Sequence, residues 1–185
     1  MSSQDRLAEI ERKLQNLTDR QDILDCITRT SRGNDRFDRD WIVGGYHEDG
    51  IHELGHDQIS GSAYGDHANH AHGAICAANL HNVTMHSCEI DGDVAHAESY
   101  VIGLFLDNDA EKSRMLAGRY VDRLEKRDGK WAIVLRRCTV EVILEGSARL
   151  PNGGVLPGSG YLKGSRDKGD PAYERPLTVE SGERW

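Results

Sequence analysis

Nine histidines are distributed over a chain of 185 residues, and several stand where an imidazole could act as an acid, a base or a metal ligand. Imidazole gains and loses a proton near neutral pH, which makes it a common general base. His81 opens a long stretch of strand-forming residues in the segment Leu80-His81-Asn82. A histidine in this setting is equally compatible with a buried structural role. His81 by itself therefore leaves both interpretations open.

A second group of histidines invites a metal interpretation. His67, His70 and His72 could supply three imidazole ligands, and His52 or His56 could add a fourth. On a helix, however, positions 67 and 70 share a face while 72 projects elsewhere. We interpret the group as a pocket rim or a solvated helix face, and we predict that the protein needs no metal.

A third set of polar residues alternates along a predicted strand. His96, Glu98 and Tyr100 share one face of that strand. If this face is the concave one, Tyr100 could bind a substrate oxygen and His96 could be a second polar group of the pocket. If it is the other face, all three are surface residues, and the alternation alone does not decide between the two.

Composition limits the class of protein. Hydrophobic residues make up 37% and charged residues 29% of the chain, and the formal net charge is −8. This balance is typical of one globular domain, and the negative charge argues against nucleic acid or an anionic membrane as a partner. The charged start of the chain and the scattered cysteines predict a cytoplasmic protein with reduced, buried thiols. The cysteines are Cys26, Cys76, Cys88 and Cys138.

Helical patterns dominate the first part of the chain. Apolar residues at helical spacing predict a helix over residues 5–17, and the capping-box pattern Thr18-Asp19-Arg20-Gln21 predicts a new helix that ends at Gly33. A short helix over residues 38–43 would have Asp38 as its N-cap. Residues 46–50 read as a turn before a short strand at 51–54, and a further helix is expected over residues 62–78.

The pattern then changes to strands. Four are predicted over residues 80–90, 94–106, 114–126 and 130–144, joined by turn sequences of which Asp128-Gly129 is the strongest hairpin signal. Helices followed by an antiparallel meander predict an α+β domain with the helices on one face of the sheet, over residues 1–145. Residues 146–185 hold all four prolines and many glycines. We interpret them as an arm, anchored by apolar residues such as Val155 and Leu156, that lies over the domain or a neighbouring subunit.

Several phrases taken together resemble the SnoaL-like branch of the nuclear transport factor 2-like superfamily. They are RQDILDCI, RGNDRFDRD, YHEDGIHELG, LHNVTMHSCEIDGDVAHAESY and RYVDRLEKRDGKW, and they span roughly residues 5 to 145. The resemblance implies a cone-shaped barrel, in which a strongly curved, mostly antiparallel sheet wraps the N-terminal helices around a deep apolar pocket. It also implies an elimination reaction that uses no metal or organic cofactor.

The resemblance assigns roles to particular residues. Asp35 of Gly33-Asn34-Asp35 and His81 would form an Asp–His pair in which the carboxylate orients the imidazole; without the resemblance, Asp35 reads equally well as a cap of the next helix. Thr30 occupies the place, one helical turn before Asp35, where the bile-acid dehydratases have a tyrosine. The other expected contributors to substrate binding or to the pocket wall are His52, Tyr46, Trp41, and one of Arg136 and Arg137, because strand alternation sends only one of these arginines inward.

The reaction and the partners follow from the same resemblance. We expect a lyase that removes water or formaldehyde from a bulky aromatic or polycyclic substrate, such as a hydroxysteroid or a lignin-derived diaryl compound, and that assembles as a homodimer or homotrimer. A ketosteroid-type isomerase is one alternative and would be supported by Glu98 deep in the pocket. A non-catalytic binding module is a second alternative and would place Asp35 and His81 out of hydrogen-bond reach of each other. A dioxygenase small subunit is a third and would need a large partner subunit.

Overall fold

The fold was analysed in a computed structural model that describes residues 2–148, 150–151, 160–179 and 182–185. Val155 and Leu156, expected as anchors of the arm, lie outside the described residues. The elements in chain order are α1 (Ser3–Arg36), α2 (Arg39–Val43), β1 (Tyr46–Leu54), β2 (Asp57–Ser60), α3 (Gly61–Ile75), β3 (Cys76–Asp91), β4 (Val94–Asp107), β5 (Lys112–Arg127), β6 (Lys130–Ser147) and a 3-10 helix (Pro171–Tyr173).

The first helix is continuous where the sequence predicted two. The capping box lies at its start, where Ser2 and Asp5 exchange hydrogen bonds between side chain and backbone. Thr18 stands inside the helix and is exposed, because a capping-box pattern has no effect when the backbone on both sides remains helical. The helix ends at Phe37, whose φ of 52° is left-handed and whose N–H donates to the carbonyl of Gly33. Gly33 is therefore an interior residue and not the residue after the helix end.

The six strands form one curved, open sheet in the order β2-β1-β6-β5-β4-β3. The pairs from β3 to β6 are antiparallel, as the sequence predicted. The sequence did not predict β2, and it took the first residues of β1 for a turn. These residues are a strand because β1 runs parallel to β6, with Tyr46 opposite Ile133 and a bulge before Ile51. The fold is thus an α+β cone whose sheet does not close into a barrel.

The core lies between α1 and the face of the sheet that α1 covers, which we call the inner face. Small residues on β4, namely Ala95, Ala97 and Ser99, are buried on this face and let the helix approach. Ile23 and Ile27 of α1 and Leu124 of β5 are fully buried. This packing fixes the C-terminal end of α1 over the sheet.

The arm follows β6, which extends to Ser147 and thus takes the first residues that the sequence assigned to the arm. Its described part returns to the end of α1. Tyr173 donates a hydrogen bond to Asp38 at 2.7 Å, Asp170 forms an ion pair with Arg36 at 3.2 Å, and Lys168 pairs with Asp38. Asp38 precedes α2 but its side chain makes no capping hydrogen bond there, because these arm residues engage its carboxylate. Among the described residues, no helix is both long and apolar enough to cross a membrane.

Replacement of Gly33 by alanine tests the contact between α1 and α2. A Cβ at Gly33 would lie 2.8 Å from Cγ1 and 2.9 Å from the backbone nitrogen of Ile42, so one element must move. We expect Gly33→Ala to lower the free energy of unfolding by about 1–3 kcal/mol in urea titrations. Gly73→Ala is the matched control, since its nearest atom would be 3.7 Å away on Phe37 and alanine favours a helix by up to ~1 kcal/mol. Equal stability of Gly33→Ala and the wild type would show that the two helices are not in close contact.

Candidate active site

Asp35 and His81 form the centre of the candidate site. Asp35 lies in the last turn of α1 and His81 lies on the inner face of β3, and both side chains are about nine-tenths buried. Oδ1 of Asp35 is 2.7 Å from Nδ1 of His81. The two carboxylate oxygens also accept from the backbone N–H of His81 at 3.0 and 2.9 Å, and the side-chain amide of Asn79 donates to Oδ1 at 3.0 Å. The carboxylate is therefore held by three donor groups.

This arrangement selects the tautomer of His81. An ionised carboxylate only accepts hydrogen bonds, so Nδ1 must carry the proton and Nε2 is left with its lone pair. Within the described part of the chain, Nε2 has no hydrogen-bond partner. The ring packs edge-on against Phe105, with centroids 5.5 Å apart. His81 is thus an oriented base with one free nitrogen.

His72 is a neighbour that the sequence did not single out for this place. Its ring centroid is 5.5 Å from that of His81 and 5.8 Å from that of Phe105. Burial, together with the charges of His81 and Arg166, lowers the pKa of His72 to about 4. His72 is therefore neutral near pH 7. The helical spacing correctly separated it from His67 and His70, but nothing in the sequence pointed to β3.

A second polar cluster surrounds His52 in the interior. The hydroxyl of Tyr46 lies 2.6 Å from Nδ1 of His52, and the ring of Tyr64 stacks on the imidazole with centroids 3.5 Å apart. Burial raises the pKa of Tyr46 well above its ordinary value, so the phenol donates the proton. Burial, followed by the charges of Arg136 and His67, lowers the pKa of His52 to about 2. His52 and Tyr46 are thus neutral groups that bond to each other, and Tyr64 was not predicted from the sequence.

Arg136, not Arg137, is the arginine that faces inward. Two of its nitrogens donate to the two carboxylate oxygens of Asp122 at 2.8 and 2.7 Å, and a third N–H donates to the hydroxyl of Thr30 at 3.0 Å. Its guanidinium lies 4.1 Å above the ring of Tyr120. Burial would lower the pKa of Arg136, but the Asp122 carboxylate beside it raises that pKa well above the ordinary value. Arg137 is exposed and pairs with Glu53.

Three of the expected pocket residues lie elsewhere. His96 and Tyr100 are exposed on the outer face of β4, because the alternate positions Ala97 and Ser99 are the buried ones. Trp41 stacks with the guanidinium of Arg32 at 4.1 Å. It lines an open cavity of about 700 Å³ whose wall includes Trp131 and Lys130 but neither Asp35 nor His81.

The structure also places the residues on which the isomerase and metal interpretations depend. Glu98, which an isomerase would need inside the pocket, forms an ion pair with Arg119 at 2.7 Å and shares the outer face with Tyr100. Across the ranges that the structure describes, no three His, Cys, Asp or Glu side chains are grouped so that they could hold a metal ion. The four cysteines are free, and three of them are buried.

Several solved structures share the fold of this chain. A hexachlorocyclohexane dehydrochlorinase of type 2 is 19% identical and superimposes with a TM-score of 0.70 over 79% of this chain and 99% of its own. A candidate scytalone dehydratase from Novosphingobium aromaticivorans is 17% identical, with a TM-score of 0.63 over 72% and 93%. A protein of unknown function from Mycobacterium tuberculosis is 26% identical, with a TM-score of 0.61 over 69% and 74%.

The family assignment rests on the sequence profile. Residues 15–137 match the SnoaL-like domain, so the chain belongs to the SnoaL-like domain family. No curated protein sequence is significantly similar to this chain.

Replacement of Asp122 by asparagine tests the buried ion pair. Asp122 and Arg136 are at most 1% exposed, so Asp122→Asn leaves a buried guanidinium without its counter-charge. We expect a loss of about 3–5 kcal/mol in the free energy of unfolding. Glu53→Gln breaks the exposed pair with Arg137 and should cost no more than ~1 kcal/mol. Similar losses in the two variants, measured by urea unfolding, would contradict the arrangement.

Acid should destabilise the protein through buried histidines, of which His72 and His52 have the most strongly lowered pKa values. The ordinary histidine pKa is 6.5, whereas His72 has a pKa of about 4 and His52 of about 2. The unfolded chain therefore binds more protons than the folded protein below pH 6.5. Stability falls as the pH is lowered from about 6.5 to about 4, by up to about 1.4 kcal/mol per pH unit for each histidine.

The His72→Gln variant isolates one of these contributions. Its free energy of unfolding should depend less steeply on pH between about 6.5 and 4 than that of the wild type. His96→Gln, at an exposed position, is the control and should keep the wild-type slope. The same slope in all three proteins would show that His72 is protonated in the folded protein.

Proposed function

We propose that the protein is a cofactor-independent lyase in which His81 accepts a proton and Asp35 orients and stabilises the imidazole. The observation that carries this proposal is the 2.7 Å contact between Asp35 Oδ1 and His81 Nδ1, which leaves Nε2 unbonded. The carboxylate also stabilises the imidazolium that forms when Nε2 takes up the proton. General-base assistance of this kind is worth about 10²–10⁴ in rate.

Two eliminations fit a single base of this kind. In a dehydration, His81 removes a proton from a carbon next to a carbonyl, the C–H electrons form a C=C bond, and the C–O bond at the neighbouring carbon breaks. The leaving hydroxyl takes up a proton from the His81 imidazolium and departs as water, which returns His81 to its neutral form. In a formaldehyde elimination, His81 removes the proton of a hydroxymethyl group. The O–H electrons then form the C=O of formaldehyde, and the C–C bond to the hydroxymethyl carbon breaks. The electrons of that bond form a C=C bond and expel the oxygen of the neighbouring carbon, which takes up the proton from His81 and leaves as water when it is a hydroxyl group.

The surroundings of His81 favour a bulky aromatic or polycyclic substrate. The rings of Phe105 and His72 border the base, and aromatic rings pack well against flat apolar ligands. His72 is neutral and Arg136 is already paired with Asp122, so neither presents a free charge to the substrate. Two similar structures carry the names of a dehydrochlorinase and a dehydratase, and both names denote eliminations.

The test is an incubation with a panel of hydroxysteroids and diarylpropane diols, followed by mass spectrometry. We expect wild-type protein to release one water, or one formaldehyde together with one water, from a member of the panel. His81→Ala should lower the rate by about 10²–10⁴-fold, and Asp35→Asn should also slow it because the amide can turn its NH₂ towards Nδ1 and favour the wrong tautomer. His96→Ala, an exposed histidine of the outer face, should retain full activity.

The outcomes separate the proposal from its rivals. Undiminished turnover by His81→Ala would refute the mechanism. A product of unchanged mass with a displaced double bond would identify an isomerase instead. Binding of a panel compound without any turnover would identify a binding module.

A further inference from the structure

Arg166 of the arm reaches into the domain beside the candidate site. One of its terminal nitrogens donates to the backbone carbonyl of Cys76 at 2.6 Å. The other donates to the side-chain oxygen of Asn79 at 2.6 Å and lies 3.1 Å from the sulfur of Cys76. The guanidinium also stacks over the ring of Phe37, 4.5 Å from its centroid. The arm thus inserts a charged, hydrogen-bonding group at the start of β3, between α1 and the sheet.

These contacts fix the orientation of the Asn79 amide. Asn79 is 3% exposed, and its two ends could in principle be exchanged. Arginine has no acceptor, so the atom facing Arg166 must be the amide oxygen, and the NH₂ group must point the other way. That NH₂ group donates to Asp35 Oδ1 at 3.0 Å and to the carbonyl of Asn34 at 3.2 Å. In the exchanged orientation, the amide oxygen would face the Asp35 carboxylate and repel it.

The hydrogen bonds from Arg166 and from His81 converge on the Asp35 carboxylate. Arg166 donates to Asn79, Asn79 donates to Asp35, and His81 donates to Asp35. The bond from Arg166 polarises the Asn79 amide and strengthens its donation to Asp35 in an interior of low dielectric constant. Arg166 makes no hydrogen bond to His81, so the hydrogen-bonded route from Arg166 to the pair runs through Asn79 and Asp35.

We propose that Arg166 is a positioning residue for the Asp35–His81 pair and that it acts through Asn79. Its relevance to catalysis rests on the proposed function, but its effect on the orientation of Asp35 and His81 does not. The arm is thereby part of the catalytic apparatus, although it lies beyond residue 137, where the match to the family profile ends.

The arm has other attachments that should survive the loss of Arg166. Tyr173 and Lys168 bond to Asp38, and Asp170 pairs with Arg36. An Arg166→Gln variant should therefore keep the arm in place while it loses the charge. Arg175→Gln is the matched control, because Arg175 is an exposed arginine of the same arm that donates to the nearby carbonyls of Ala172 and Glu174 and not to Asn79.

The first readout is independent of any substrate. In protein labelled with ¹⁵N-histidine, the ring nitrogen shifts of His81 report which nitrogen carries the proton. We expect the wild type and Arg175→Gln to hold the proton on Nδ1, and Arg166→Gln to show a mixture of the two tautomers. Arg166→Lys keeps the positive charge and presents only donors to Asn79, whereas the glutamine amide is neutral and can also turn its oxygen towards Asn79. Arg166→Lys should therefore restore most of the wild-type signal. An unaltered His81 spectrum in Arg166→Gln would overturn the proposal.

The second readout is the rate with a substrate found by the panel. Arg166→Gln should lower kcat by about 10–100-fold, a usual effect of losing the partner that orients an active group, while KM changes less than about threefold. Asn79→Ala should lower kcat similarly, and the double variant should be no slower than Asn79→Ala alone because both act through one path. Additive losses would overturn the path through Asn79. If Arg166→Gln fails to fold, Arg166→Lys and Asn79→Ala test the same path.

The two proposals can fail separately. Undiminished turnover by His81→Ala would refute the lyase mechanism. The ¹⁵N spectra would still test whether Arg166 positions the Asp35–His81 pair. If Arg166→Gln has the wild-type spectrum and the wild-type kcat while His81→Ala is inactive, the role of Arg166 is refuted and the lyase mechanism stands.

Discussion

The contact between Asp35 and His81 joins the end of a long helix to the start of a long strand, and the other features of the site depend on it. The two residues are 46 positions apart in the sequence, so only the packing of α1 on the sheet brings them together. Ile23 and Ile27 secure the helix against the sheet, and Gly33 lets α2 approach the last turns. The left-handed conformation of Phe37 then ends the helix directly after Asp35 and Arg36. A displacement of the helix end by 1 Å would break the contact.

Several buried ionisable groups of the interior are either neutral or paired. His72 and His52 are neutral because burial lowers their pKa values. Arg136 has a positive charge that Asp122 neutralises, and Tyr46 and Tyr120 keep their protons because burial raises their pKa values. An interior with paired or neutral groups maintains a fixed field. In the proposed mechanism, these groups would not compete with His81 for the substrate proton.

The sequence predicted the meander well because its signals are local. Asp128 and Gly129 adopt the positive φ angles of a tight turn, as the Asp-Gly pair indicated. The prediction from sequence failed where strand pairing is distant in sequence or irregular. The first residues of β1 form a strand because β6 lies beside them. The two arginines of β6 show the same limit. Ile133 is buried, so simple alternation would send Arg137 inward, but a bulge between Ile133 and Leu135 shifts the pattern and selects Arg136.

The candidate site was predictable only in part. Asp35 and His81 were recognisable through a resemblance that covers the domain, whereas Arg166 lies in an arm of unusual composition and bonds to Asn79 across 87 residues. No periodicity or motif records such a contact. His72 was visible as a helical histidine, but its proximity to the base depends on how α3 packs.

The proposed function requires that Asp35 hold the proton of His81 on Nδ1, which leaves Nε2 free to act as a base. Neutron diffraction from a crystal of the deuterium-exchanged wild-type protein near pH 7 would locate that proton directly. We predict a deuteron on Nδ1, directed at Asp35 Oδ1, and no deuteron on Nε2. A deuteron on Nε2 alone, with the Nδ1 lone pair facing a protonated Asp35, would contradict it.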